Sequence, residues 1–477
     1  MTEQAGQSEH ARNMAEHTGH PAPHPGHLHR TVTLWPMILF GLAYISPFIV
    51  LTTFGAFSEI SGGTLAGSYL LTTVAMIFTA LSYGKMSREH PVAGSAYSYA
   101  RRSIGSRIGF MVGWAIMLDY FFLPMVVWLI GTAYLTAQFP TVPKWVFVLA
   151  FIVITTVLNI IGIKLATRVN VALLSFQVLV LVFFVVLSLR HVFATPGLGV
   201  TLEPFWNSAS TVGAVVAGGA VAAYSFIGFD AVSTFAEEAV DPRRTVPRAI
   251  VLTAAIAGLI FVVVSYVVQL VHPGGSFANP DSAALDIART IGGDLFGAIF
   301  LATVIIAQFT AGIPIQAAGS RLMYAMGRDG VLPRGVFGYL LPRLGTPVFN
   351  LLLTGLVGLL ALFLNVETST SFINFGAFTA FAFVNISVIA LYLRQRHEVH
   401  RTVLGWVVQP LIGLVVILFL LTQLNKNALT IGVIWLVLGF CWLLYLTRFF
   451  RREPPEMTTL EESGEAALER PASSAET

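Results

Sequence analysis

Apolar runs long enough to cross a bilayer recur from one end of this 477-residue chain to the other, and they leave few folds open. A helix needs about 20 apolar residues to span the hydrocarbon core. Segments 33–58, 64–86, 106–138, 145–164, 167–190, 211–237, 248–271, 292–322, 348–365, 369–393, 403–423 and 429–449 meet that length. Turn signals separate them, such as the prolines of HPVAGSAY (90–97) and DPRRTVPR (241–248). The chain is 56% hydrophobic and 11% charged, with a mean hydropathy of +0.77, so a soluble core could not hide its apolar surface. The pattern predicts an all-α integral membrane protein of 12 transmembrane helices.

The basic residues test that count. With the N-terminus inside, all but four of the 27 Lys and Arg fall on the inner side; Lys144, Arg190, Arg289 and Lys426 fall on the other. An odd number of missed spans would scramble the split. Both termini are therefore expected in the cytoplasm. Residues 1–31 read as a disordered tail, although His10, His17, His20, His24, His27 and His29 leave a metal-binding or pH-sensing tail open. The acidic, Ser-rich residues 451–477 read as a second disordered tail. The outer 7–8 segment (272–290) is long enough for a small amphipathic helix.

The lone Cys441 excludes an internal disulfide and a cysteine metal cluster, and in its apolar run it reads as a packed thiol. No His or Cys constellation lies inside a span, so no enzyme, metal or cofactor is expected. No nucleic-acid partner is expected either; the environment is lipid. Small-xxx-small patterns pack helices within a chain as readily as between chains, so no oligomer is assigned.

Span 6 breaks the apolar rule. GAVVAGGAVAAYSFIGFDAVSTFAEE (213–238) places Tyr224, Ser225, Gly228 and Asp230 inside a crossing helix. A carboxylate there costs roughly 2.5–3.5 kcal/mol on insertion scales. Gly218 and Gly219 permit close helix packing, and Gly228 permits the backbone to unwind where protein or water covers it. Span 1 reads FGLAYISPFIVLTTFG (40–55), and Pro47 forces a kink or unwinding near Tyr44, Ile45 and Ser46. A plain proline kink is the ordinary alternative. Ala43-Tyr44-Ile45-Ser46 and Ala223-Tyr224-Ser225-Phe226 would occupy corresponding spans of two inverted five-helix halves, and paired interruptions point to a site near the midplane. Carbonyls freed near Tyr224–Phe226 favour a cation. Amides freed near Ser46–Phe48 favour an anion, but Pro47 removes one, which suits an amine better than a carboxylate.

Span 3 adds GWAIMLDYFFLP (113–124), with Asp119 near mid-membrane. No Lys or Arg falls within the core of any span, so Asp119 and Asp230 have no obvious counterion. Each is a candidate to hold a substrate ammonium or to carry a proton. Tyr120, with Tyr44, Tyr224 and Phe226, is a candidate aromatic wall for a cation, ordinary packing being the alternative. Glu59, Glu237 and Glu238 read as solvated or gate charges. Gln308, Gln316, Asn374 and Asn385 read as interhelical hydrogen bonds.

At these residues the chain resembles the amino acid–polyamine–organocation transporter family, and within it the bacterial putrescine importers. The likeness is carried by GLAYISPF (41–48), TFG (53–55), SYGK (82–85), AGSAYSYA (93–100) and GFMVGWAIMLDYFFLPM (109–125). It continues through SFIGFDAVSTFAEE (225–238), SRLMYAMGRDGVLPRGVFGY (320–339) and INFGAFTAFAFVN (373–385).

The resemblance implies a five-plus-five inverted-repeat (LeuT-like) fold plus two extra helices, with helices 1 and 6 broken. The first repeat would cover about 33–190, the second about 211–393 and the extra helices about 403–449, within a transporter domain of 32–450. It also implies a multi-pass protein of the bacterial inner membrane and proton-driven import of putrescine or a related small amine. The alternative is an amino acid permease or exchanger of the same fold. Substrate recognition falls by resemblance on Tyr120, and contact with the substrate's cation on Asp119.

Two positions depart from the family. Putrescine importers carry an aspartate at the position of Thr52, which makes it a possible selectivity position. Some proton-coupled relatives carry a lysine near Gln177, so coupling here is left to a carboxylate or another route. Span 1 also lacks the glycine-rich break typical of α-amino acid carriers.

Overall fold

A computed structural model describes residues 32–90, 96–161, 167–208, 210–236, 238–341, 345–395 and 401–456. The readings made for the two tails fall largely outside these residues, as does Glu237. The chain enters through α1 (Leu34–Ile45), α2 (Ile49–Thr52) and α3 (Phe54–Ile60). Then come α4 (Leu65–Glu89), α5 (Ala96–Ser103), α6 (Ser106–Gln138), α7 (Lys144–Ile161) and α8 (Thr167–Ala194). α9 (Val212–Ala222) runs into 3-10 turns at Ala223–Phe226 and Phe229–Ala236, and α10 (Pro242–Val271) follows. α11 (Ala283–Arg328), α12 (Arg334–Phe337), α13 (Val348–Gly358), α14 (Val366–Gln395), α15 (Gln409–Thr422) and α16 (Lys426–Leu446) complete the chain. Among the described residues, strand pairing is limited to two isolated bridges, Val32 with Ala239 and Leu341 with Thr346.

Local chemistry sets many boundaries. The Thr211 hydroxyl accepts the Ala214 amide at 3.1 Å and caps α9; Asn425 accepts the Asn427 amide at 2.9 Å and caps α16. Pro242 opens α10, where its missing donor costs nothing. The helical run through the 7–8 segment meets α11 proper at Gly293, whose φ of 71° is left-handed.

Among the described residues, eleven helices are long and apolar enough to cross a membrane. The ninth expected span differs: it forms a shorter apolar helix, Val348–Leu362, whose last turn, Leu359–Leu362, is 3-10. At about 1.5 and 2 Å rise per residue it reaches about 25 Å, short of the roughly 30 Å core.

Small and polar residues hold the helices together inside the apolar body. Gly218 sits where a Cβ would meet Ser68 Oγ at 2.5 Å and Ser61 Cβ at 2.6 Å, so α9 closes on α4. Ser68 and Thr72 donate to the Val215 and Gly219 carbonyls at 2.8 Å each. Gln316 donates to Thr156 Oγ1 at 2.7 Å and accepts from Asn159 at 3.0 Å, joining α11 to α7. Asn385 accepts from Ser82 at 2.6 Å, and Asn374 donates to the Ala220 carbonyl at 2.8 Å. These are the interhelical bonds expected of Gln316, Asn374 and Asn385.

Candidate functional site

Two interrupted helices lie antiparallel at the centre of the molecule. At one end, the Val32 amide donates to the Glu238 carbonyl at 3.0 Å and the Val240 amide donates to the Val32 carbonyl at 3.1 Å. At the other end, Ser61 meets Gly218. Between them, both backbones lose α geometry. α1 stops at Ser46, a non-glycine residue in the left-handed region (φ 52°), and Pro47 prevents continuation. Gly228 has φ 109°, which only glycine adopts readily, and a Cβ there would strike the Tyr44 ring. The two breaks therefore touch through Tyr44 and Gly228.

Two of the amides at the first break have backbone partners. Ser46 N–H donates to Leu42 O at 3.1 Å and Ile49 N–H donates to Ser46 O at 2.9 Å, while Pro47 has no donor. The Ser46 hydroxyl donates to Gln177 Oε1 at 3.5 Å, and Gln177 Nε2 donates to Thr310 Oγ1 at 3.3 Å. A neutral amide thus bridges the break to α8 and α11.

α6 brings Asp119 and Tyr120 beside this crossing. Asp119 lies within electrostatic reach of Asp230, Tyr44 and Tyr224, and Tyr120 within reach of Tyr44 and both acids. Asp119 Oδ1 is buried and has no hydrogen-bond partner among the described residues. Asp230 Oδ2 accepts from the Tyr83 hydroxyl at 3.4 Å. Among the described residues neither carboxylate makes an ion pair. No group of three or more His, Cys, Asp or Glu among them is placed to hold a metal.

Other expected site residues are committed elsewhere. Ser225 shares a 2.8 Å hydrogen bond with Tyr69. Phe226 is wholly buried and packs edge-on against Phe261 at 5.1 Å, so it offers no open face in this state. Ile45 is buried beneath the break, and the Tyr224 carbonyl accepts the Ile227 amide at 3.2 Å. Thr52 is buried with its hydroxyl on Ile49 O at 3.1 Å, and its own carbonyl accepts from Tyr134 at 3.1 Å.

Exposure is one-sided. Residues 50–58, 124–132 and 218–226 are buried without exception. Toward the Val32–Ala239 end, Asp119, Tyr120, Ile227 and Asp230 are half-buried and Tyr44 is 48% exposed. The sealed end is aromatic: Phe48 packs on Phe300 at 5.6 Å, and Phe54 on Phe277 at 5.9 Å. Ser58 donates to Gln269 at 2.7 Å across the same closure.

Tyr69, Tyr83 and Tyr134, which contact Ser225, Asp230 and the Thr52 carbonyl, escaped the sequence reading. A hydroxyl inside an apolar span needs a partner, which marks such tyrosines as noteworthy. Which helix they face is set by packing.

The fold defines a helical membrane protein whose first and sixth spans are both interrupted and meet at Tyr44 and Gly228. The amino acid permease family model matches residues 34–446, and the chain belongs to that family. Over 436 residues it is 37% identical to the low-affinity putrescine importer PlaP of Escherichia coli K12, covering 90% of this chain and 96% of PlaP. The branched-chain amino acid permease BcaP of Bacillus subtilis is 27% identical, with 86% of this chain and 92% of BcaP aligned. Human cationic amino acid transporter 4 is 30% identical over 71% of this chain and 55% of its own length. The protein is a transporter, not an enzyme.

Proposed function

We propose that this permease imports putrescine or a closely related small amine across a bacterial plasma membrane by alternating access. The observation that carries the reading is the pair of carboxylates, Asp119 and Asp230. They lie within electrostatic reach of each other, with no ion-pair partner among the described residues, and in this reading they face one crevice. Two acids without fixed cations suit a substrate that brings its own, and Tyr44 and Tyr120 supply ring faces beside them. The similarity to PlaP supports the same substrate class.

The short ninth helix completes twelve crossings, and the five-plus-five inverted repeat relates spans 1 and 6. The antiparallel contact of those spans supports that relation. With both termini cytoplasmic, the open end of the crevice is cytoplasmic and the structure is an inward-open state. Import is proton-coupled through Asp119 or Asp230, because Gln177, the bridge between Ser46 and Thr310, has no titratable proton.

An amino acid permease is the second reading, favoured by Thr52 and by the similarity to BcaP. The donor missing at Pro47 weighs against it, since an α-carboxylate needs free donors. Titration of purified protein with labelled putrescine separates the two. Diamines compete and alanine does not if the amine reading holds; displacement by amino acids but not by diamines overturns it.

A further inference from the structure

α16 is the least buried of the membrane-length helices, with 17% of its most apolar window inside the protein. Trp442 Nε1 ties its C-terminal half to the Val331 carbonyl at 2.7 Å, and its middle is tied to α6. Trp114 Nε1 donates to the Trp435 carbonyl at 2.9 Å, and Trp435 Nε1 donates to the Trp114 carbonyl at 2.8 Å. The two rings stack with centroids 5.2 Å apart and planes 26° apart. Trp435 also stacks on Phe121 at 6.3 Å. Gly439 admits the Trp114 indole, since a Cβ there would meet its ring atoms at 2.5 and 2.6 Å.

Trp114 and Phe121 stand two helical turns apart, and Asp119 and Tyr120 lie between them. One indole of a peripheral helix therefore brackets the two residues of α6 that face the crevice. Apolar packing in lipid is weakly directional, and would let α16 slide along α6 or let α6 rotate. Reciprocal N–H bonds in a low-dielectric surrounding fix both motions. Tyr120 packs on the same cluster as Trp114, Met117 and Trp435. On the opposite flank, Gly319 of α11 accommodates the Tyr120 carbonyl, which a Cβ would meet at 2.6 Å.

We propose that Trp435 is a positioning residue: its reciprocal bond with Trp114 sets the rotation of α6 that aims Asp119 and Tyr120 into the crevice. The proposal deepens, and rests on, the reading of Asp119 as the ammonium ligand.

Trp435→Phe removes the N–H donor and keeps a ring to stack. In proteoliposomes it raises the KM for putrescine about three- to tenfold, the net worth of one hydrogen bond, with maximal rate and Tm close to the parent's. Leu438→Ala, on an exposed position of the same helix, leaves KM unchanged. A second readout needs no substrate. Asp119→Cys in a Cys441→Ser background is labelled with a methanethiosulfonate ethylammonium reagent, and adding Trp435→Phe changes the labelling rate about threefold or more. An unchanged KM, or an unchanged labelling rate, overturns the positioning role. If the parent takes up no putrescine, the amine reading fails by itself and the labelling rate still decides the role of Trp435.

Discussion

Asp119 is where the chemistry concentrates, because one of its oxygens is buried without a partner. A buried polar atom left unsatisfied costs about 1–3 kcal/mol, and more when charged. In the proposed reading a bound ammonium would remove that cost. Asp119→Asn keeps the shape and removes the charge. Initial uptake of putrescine falls by about two orders of magnitude or more, while yield and gel-filtration profile match the parent. Undiminished uptake in that variant rules Asp119 out as the ammonium ligand. Asp119 and Asp230 were visible in the sequence, since an acid inside an apolar run is conspicuous. The Tyr83 hydroxyl on Asp230 was not, because its direction depends on how α4 packs against the broken helix. Thr52 shows the opposite limit: its identity was legible as a departure, but its burial under Tyr134 came only with the fold.

At the scale of elements, the two breaks depend on one glycine. Gly228 holds a left-handed φ of 109° and gives its Cβ space to the Tyr44 ring. Gly228→Ala strains the backbone and expels the ring together. Stability falls by about 1–3 kcal/mol, read as a lower Tm in detergent, and transport is lost even below that temperature. A variant with parental Tm and uptake would mean that the breaks do not meet there. Pro47 and Gly228 announced both interruptions in the sequence, because each residue type has a backbone consequence independent of context. The short α13 was not announced: a 3-10 last turn depends on how the helix ends against its neighbours. The Trp114–Trp435 pair was equally silent, joining residues far apart in the chain through backbone carbonyls that no side-chain pattern marks.

At the scale of the whole molecule, the proposed crevice is expected to open toward one face. Tyr44 is 48% exposed, whereas Phe48, about one helical turn further, is 2% exposed. Tyr44→Cys in a Cys441→Ser background is therefore modified by an impermeant maleimide in inside-out vesicles and spared in right-side-out vesicles. Equal labelling from both faces contradicts an inward-open resting state. The charge asymmetry of the loops supplied the orientation on which that expectation depends. Apolar run length predicted twelve crossings, and eleven of them form helices of membrane length among the described residues; neither signal depends on tertiary contacts.

Energetics at this scale favour accumulation of a dication. An interior-negative potential contributes about 4.6 kcal/mol per 100 mV, at about 2.3 per charge, before any proton moves. Uptake of labelled putrescine into proteoliposomes, at clamped voltage with and without an inward proton gradient, tests the central claim most directly. Saturable uptake, competed by cadaverine and accelerated by the proton gradient, is the predicted result. Active protein that moves alanine or arginine and leaves putrescine outside contradicts it.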